Sequence, residues 1–249
     1  MRKLSALLAI TGLTMTAAPV LAQEGDVSRS KNSGAYVTVG AGGGWASSTS
    51  VNYTESGTID GSSYSGTTSG TANLGGGFAL DAGLGYDFGN SIRGEVTYVL
   101  GSYAIGSTSY SGNLTSGGTR YGFNGNITPT GNLSTNSVMF SGYYDFKSKS
   151  KFTPYVGAGI GWTSVSIPSM PASATLNGTT YNNLTVDSGS ASAFGYQAKV
   201  GVSYAISKPA DIFAEAIYQG NTGVTINEFN YGPLNAISVR AGARLRFGR

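Results

Sequence analysis

The dominant pattern along this chain is an alternation of apolar residues with small or polar ones. In the stretch FTPYVGAGIGW, residues 152–162, every second residue from Pro154 to Trp162 is apolar, and those between are tyrosine or glycine. A period of two is that of a β-strand whose two faces meet different surroundings. A phosphate-binding glycine loop would lead into a helix, and no 3.6-residue period follows. The stretch is therefore predicted to be a strand.

The same alternation recurs in eight segments: 34–45, 75–88, 92–103, 135–146, 152–162, 192–206, 212–219 and 235–247. Most are longer than the mean strand of about five or six residues. Three short connections alternate with four long ones rich in Gly, Ser, Thr and Asn, namely 46–74, 104–134, 164–191 and 220–234. Such an alternation is typical of outer-membrane barrels. We predict an all-β fold, an eight-stranded antiparallel up-and-down transmembrane β-barrel with four long extracellular loops and three short periplasmic turns.

Aromatic side chains of the apolar face gather at both ends of the segments. Near the long connections these are Trp45, Phe78, Trp162, Phe194, Tyr196 and Tyr218, and near the turns or the C-terminus Tyr86, Phe88, Tyr144, Phe146, Tyr204 and Phe247. Two belts separated by aliphatic residues match the aromatic girdles of a barrel in a bilayer. The core of a soluble β-protein would give no reason for aromatics to concentrate at strand ends. The apolar face is therefore predicted to contact lipid.

The opposite face carries balanced charges. The acids are Asp81, Asp87, Glu95, Asp145 and Glu215, and the bases are Arg93, Lys199, Arg240, Arg244 and Arg246. An eight-stranded barrel has room inside for side chains and little more, and an unpaired buried ion costs several kcal/mol. We therefore predict an interior ion-pair network that closes the lumen, with Glu215 reaching Arg240 or Arg244. A permeation pathway or an acid–base site is the alternative.

The start of the chain has the layout of a secretory signal peptide, with a basic start, an apolar stretch and a small-residue site before Gln23. A membrane anchor is the alternative, but the stretch is short for a bilayer span and contains Pro19. We expect a cleaved signal peptide at 1–22, a flexible periplasmic segment at 23–33 and the barrel at 34–249. Removing two signal-peptide bases lowers the formal net charge from +3 to +1, which does not suggest nucleic-acid binding.

The chain contains no histidine and no cysteine. Catalysis by a serine–histidine or histidine–aspartate pair would lack its general base. Cysteine nucleophiles and Cys/His metal sites are excluded in the same way, as is a disulfide framework. We expect no enzymatic activity and no cofactor.

Four strand sequences carry a family resemblance: FTPYVGAGIGW, FGYQAKVGVSYAIS, DIFAEAIYQ and SVRAGARLRF. They resemble the last four strands of opacity-type outer-membrane proteins and related major surface antigens of Gram-negative bacteria, and GFALDAGLGYDF and IRGEVTY match more loosely. The resemblance implies an OmpA-like barrel, without a peptidoglycan-binding domain, in the outer membrane. It also implies a C-terminal assembly signal at Leu245 and Phe247, although Gly248 and Arg249 follow where such signals usually end.

The resemblance further implies surface presentation, with adhesion or host contact through the loops in some members. We therefore predict a structural or interaction protein, with a small porin for ions or hydrophilic solutes as the alternative. The expected partners are outer-membrane lipid, the outer-membrane assembly machinery and a host or surface ligand at the loops, and we expect a monomer. The low charge of the loops indicates mobile, hydrophilic segments. Their tyrosines would either contact a receptor or pack the loops onto the rim: Tyr53, Tyr64, Tyr110, Tyr121, Tyr181 and Tyr231.

Overall fold

The computed structural model describes residues 33–59, 62–146 and 150–247. The predicted signal peptide, residues 23–32 and the last two residues lie outside this range. In chain order the strands are β1 (Gly34–Ala46), β2 (Thr49–Ile59), β3 (Ser62–Asp87), β4 (Ile92–Ser116), β5 (Thr119–Pro129), β6 (Asn132–Asp145), β7 (Phe152–Ile167), β8 (Met170–Leu176), β9 (Thr179–Val186), β10 (Gly189–Ala205), β11 (Ala210–Asn221), β12 (Val224–Ile226), β13 (Phe229–Tyr231) and β14 (Asn235–Arg246). No described helix has the length and apolar character needed to span a membrane.

Eight of these strands close into an antiparallel barrel. The order around it is β1, β3, β4, β6, β7, β10, β11 and β14. The barrel closes where β14 pairs with β1, from Tyr36 opposite Arg246 to Ala46 opposite Ala236. Each of the eight strands overlaps one of the predicted segments, although four segments were predicted to end one residue later than the strands do. The predicted fold class is confirmed.

Side-chain burial alternates along the barrel strands as the sequence pattern requires. On β4, Arg93 and Glu95 are buried while Val96 and Tyr98 are exposed on the outside. An apolar outer face is what a bilayer demands, because lipid cannot solvate polar side chains. The period of two therefore separates a lipid face from a polar interior on every barrel strand.

The long connections form regular β-hairpins, which their composition did not suggest. β2 pairs with the first part of β3, the end of β4 pairs with β5, and β8 and β12 pair with β9 and β13. These hairpins also pair with one another, through β3 with β4, β5 with β8 and β13 with β2. We call this assembly the loop crown. It consists of β2, β5, β8, β9, β12 and β13, with the part of β3 before Leu74 and the part of β4 after Ile105.

Turn chemistry explains why such polar sequences form regular hairpins. Two-residue turns with both residues at positive φ connect the crown strands: Gly117–Gly118, Asn177–Gly178 and Asn227–Glu228. This backbone matches the twist of antiparallel strands and favours glycine and asparagine. The Gly-Gly and Asn-Gly pairs were therefore a readable hairpin signal in the sequence. Pairing between hairpins supplies the remaining order, and it depends on the closed barrel below.

Candidate functional site in the barrel interior and the loop crown

Arg93 lies at the centre of the interior network and is fully buried. Its Nε donates to both carboxylate oxygens of Asp145, at 3.1 and 2.9 Å, and its Nη1 donates to the Tyr36 hydroxyl at 3.1 Å. The guanidinium carbon lies 4.5 Å from the ring centroid of Tyr143 and 5.2 Å from that of Tyr155. A cation held by a carboxylate and aromatic faces is stabilised without water.

Glycines on the inner face make room for the tyrosine rings around Arg93. The pairs are Gly85 with Tyr36, Gly157 with Tyr143 and Gly201 with Tyr155. A β-carbon at any of these glycines would overlap the neighbouring ring. The high glycine content of the barrel strands therefore has a packing reason at these positions, since large rings fit a narrow lumen only where the facing strand has no side chain.

Two buried glutamates are held by tyrosine hydroxyls. Glu95 accepts hydrogen bonds from Tyr36 at 3.0 Å and from Tyr143 at 2.9 Å. Glu215 accepts one from Tyr155 at 3.0 Å and lies 3.4 Å from Lys199 Nζ. Because both carboxylates have donors on other strands, the network links strands that are adjacent or two positions apart around the barrel.

The predicted pairing of Glu215 with Arg240 or Arg244 is wrong. Arg240 lies directly opposite Glu215 in the strand register, yet its Nη1 is 3.5 Å from Asp81 on β3. Gly40 occupies the intervening strand at the height of Asp81 and puts no side chain between them. The Arg240 side chain therefore reaches across β1 at Gly40 to contact Asp81, and Glu215 is neutralised by Lys199.

Asp211 belongs to the network but was missed, because the predicted seventh segment began one residue later. It is 2% exposed, lies 3.6 Å from Arg244 and also pairs with Arg246. Arg246 reaches Asp87 as well, at 3.8 Å. Asp211 has the same parity as Glu215, which was the signal that could have found it. The interior ion pairs thus fall into four groups: Arg93 with Asp145, Lys199 with Glu215, Arg240 with Asp81, and Arg244 and Arg246 with Asp211 and Asp87.

Apolar side chains fill the interior above the charges. Met139, Ile217 and Val99 are at most 2% exposed. Beyond them a cluster closes the barrel where the crown begins, made of Tyr103, Leu133, Val165, Ala193, Val224 and Ile226. Side chains therefore pack the described interior from the turn end to the crown. No group of acidic side chains suited to a metal ion occurs in the described residues.

The predicted girdle residues lie on the outer face of the barrel. Trp45 and Trp162 are 68% and 63% exposed, and Phe247 is 61% exposed at the end of β14, beside Leu245 at 43%. Tyr196 and Tyr204 are half-buried. Neighbouring rings pack edge to face, as Trp162 does on Phe194 with centroids 6.5 Å apart. Both ends of the barrel thus carry packed aromatic belts, as an outer-membrane protein requires.

The loop crown turns some of its tyrosines inward and others outward. Tyr53 stacks on Phe229 with ring centroids 4.8 Å apart, and its hydroxyl donates to Glu55 at 3.2 Å. That hydrogen bond raises the pKa of the Tyr53 hydroxyl, and burial raises the pKa of Tyr231. Tyr121, by contrast, is 57% exposed. Tyr53 and Tyr231 are therefore packed within the crown, whereas Tyr121 is accessible on its surface.

A closed eight-stranded barrel with an apolar outer face, aromatic belts and a charged, packed interior defines the class as an outer-membrane β-barrel. Residues 115–243, 129 of the 249 residues, match a family described as Surface antigen. The chain belongs to this family, and the protein is located in the outer membrane of a Gram-negative bacterium. The predicted family and location are confirmed.

Three individual proteins that this chain is similar to are each at most 28% identical to it. Outer membrane protein PagN of Salmonella typhimurium is 28% identical over 160 residues, which cover 64% of this chain. The chain spans 62% of that relative's length. Among solved structures, Neisserial surface protein A is 20% identical, with 87% of this chain and 99% of that chain covered and a TM-score of 0.43. OprG from Pseudomonas aeruginosa is 14% identical, with 88% and 98% covered and a TM-score of 0.46.

Proposed function

We propose that this protein is a surface-exposed interaction protein: the packed barrel anchors the loop crown in the outer membrane, and the outer surface of the crown contacts other cells or molecules. The observation that carries the proposal is the filled interior. Arg93, Arg240 and Arg244 are each at most 3% exposed, so the charged side chains of the barrel pair with one another in its interior. What remains available for partners is the crown.

The small-porin alternative needs a hydrated pore. In such a pore the same ion pairs would be separated by water and would contribute about 1 kcal/mol or less each. The buried rings of Tyr36, Tyr143 and Tyr155 stand in the way of that pore, since they pack around Arg93. The arrangement therefore favours a closed barrel over a conducting one.

The crown's outer surface has the chemistry of a contact surface. Its described tips are rich in hydroxyl and amide side chains and carry few charges. Tyr121 and Tyr181 are 57% and 50% exposed there. Tyrosine is common in interfaces because its ring supplies apolar area and its hydroxyl supplies a hydrogen bond. We place the crown outside the cell and the short turns in the periplasm.

The rest of the proposal concerns partners and chemistry. The barrel is a monomer that contacts lipid through its apolar face and reaches the membrane through the outer-membrane assembly machinery. It has no enzymatic activity, and its surface ligand is a component of a host cell or of the surroundings. The network supports the non-enzymatic assignment, because Glu95 and Glu215 are engaged by hydroxyl and ammonium donors.

Attachment and conductance together test the proposal. A laboratory Gram-negative strain displaying the protein should attach to cultured epithelial cells more than the same strain without it. Tyr121→Ser combined with Tyr181→Ser should reduce attachment, whereas Tyr110→Phe, whose ring lines the inside of the crown, should not. The purified wild type should show no steady conductance in planar bilayers. Conductance in the wild type without any attachment would favour the porin.

A further inference from the structure

The loop crown surrounds a partly open cavity of about 510 Å³. Side chains from its hairpins line the wall, among them Val51, Ile105, Ile127, Met170 and Ile226. The cavity's lower end includes Leu133 and Val165, which belong to the cluster that closes the barrel. The cavity is therefore separate from the charged network, and it was unexpected from a sequence that suggested hydrophilic loops.

The lining is apolar and nearly free of charge. Aliphatic and aromatic side chains predominate, Asp187 is the charged residue among the described lining residues, and no lysine or arginine lines the space. Tyr53 and Phe229 stack to form an aromatic part of the wall. Ligand pockets typically measure about 300–1,000 Å³ and combine such walls with a few polar groups. The size and the chemistry both fit a small-molecule site.

We infer that the loop crown binds one uncharged apolar molecule from outside the cell, either a free alkyl-chain compound or an aromatic one. Its size follows from a comparison: an apolar cavity of about 150 Å³ holds benzene, so this one holds roughly 15–20 carbon atoms. Bilayer chains are poor candidates, because Val165 and Ile167 lie beyond the girdle residue Trp162 on β7, on the crown side. Carboxylate and phosphate ligands are disfavoured, because no lysine or arginine is among the described lining residues to pair with them.

This inference does not rest on the proposed contact function. It concerns the inner surface of the crown, whereas attachment concerns the outer surface. Alternate residues of β5 face the two sides: Ile127 lines the cavity, and Thr128 beside it is exposed. The same strand therefore offers a matched pair of positions that separates the two functions.

Methyl NMR of the protein in lipid nanodiscs, titrated with 1-decanol, tests the site. The δ1 methyl of Ile226, which is 4% exposed on the cavity wall, should show a saturable shift. Ile160 and Ile237, 57% and 59% exposed on the lipid face, should shift only in proportion to the decanol dissolved in the bilayer. Decanoate should bind at least about tenfold more weakly, because no cation lines the cavity.

Variants that fill the cavity with a larger side chain complete the test. Ile127→Trp should abolish the saturable shift at Ile226, and Thr128→Trp should leave it unchanged. Val51→Phe, on a different strand, serves if Ile127→Trp does not fold. A linear response at Ile226 like that of Ile160, or equal binding by the filled and unfilled proteins, would overturn the inference. Attachment by the Ile127→Trp variant should be normal, so failure of the site and failure of the contact function give different results.

Discussion

Replacing Arg93 with methionine should be among the most damaging single changes inside the barrel. The substitution keeps much of the side-chain length but leaves the Asp145 carboxylate without its guanidinium, and it removes the cation from the faces of Tyr143 and Tyr155. Breaking a buried ion pair by removing one partner costs about 3–5 kcal/mol. Since Arg93 is fully buried, the full range applies, and we expect the free energy of unfolding to fall by about 4 kcal/mol.

The double variant Arg93→Met with Asp145→Asn is the control. Removing both charges avoids an uncompensated buried carboxylate, so it should be more stable than the single variant. Equilibrium urea unfolding in lipid vesicles measures the difference. Tryptophan fluorescence reports it, because Trp45 and Trp162 both lie on the lipid face. A solvated ion pair contributes about 1 kcal/mol or less. If Arg93→Met lowered the free energy of unfolding by less than this, the closed, dry interior would be refuted.

Three further predictions concern the inner face, the lipid face and the turn end. Gly157→Val should block assembly, because the new side chain would overlap the Tyr143 ring. Gly142→Val on the neighbouring strand is the control, because a side chain there meets open space. Equal yields of folded protein from the two variants would contradict this. Val200→Arg should cost about 2–4 kcal/mol if Val200, 57% exposed on the outer face, lies near the bilayer midplane, with Val200→Leu as the neutral comparison in vesicle unfolding. Asp211→Asn should lower the thermal midpoint by weakening its pairs with two buried or half-buried arginines, and an unchanged midpoint would show that Asp211 is solvated.

The sequence alone determined the barrel and the direction of its side chains. A strand turns successive side chains to opposite faces, so the parity of Val96 and Glu95 fixes which of them meets lipid, whatever the neighbouring strands are. Strand count and loop alternation are equally local, and they predicted the closed eight-stranded fold. The same parity would have included Asp211 if the segment had been started one residue earlier.

Only the tertiary structure decided which groups meet. Glu215 and Arg240 face each other in register, yet each binds another partner, because a long guanidinium can cross a strand where Gly40 has no side chain. The turn residues of the crown's hairpins were readable, but the pairing between hairpins was hidden, since a pattern of threonine, tyrosine and glycine carries little apolar contrast. Its hairpins pair with hairpins distant in sequence, as β5 does with β8. The apolar cavity exists because these separate inner faces are brought around one space, and no single segment encodes that space.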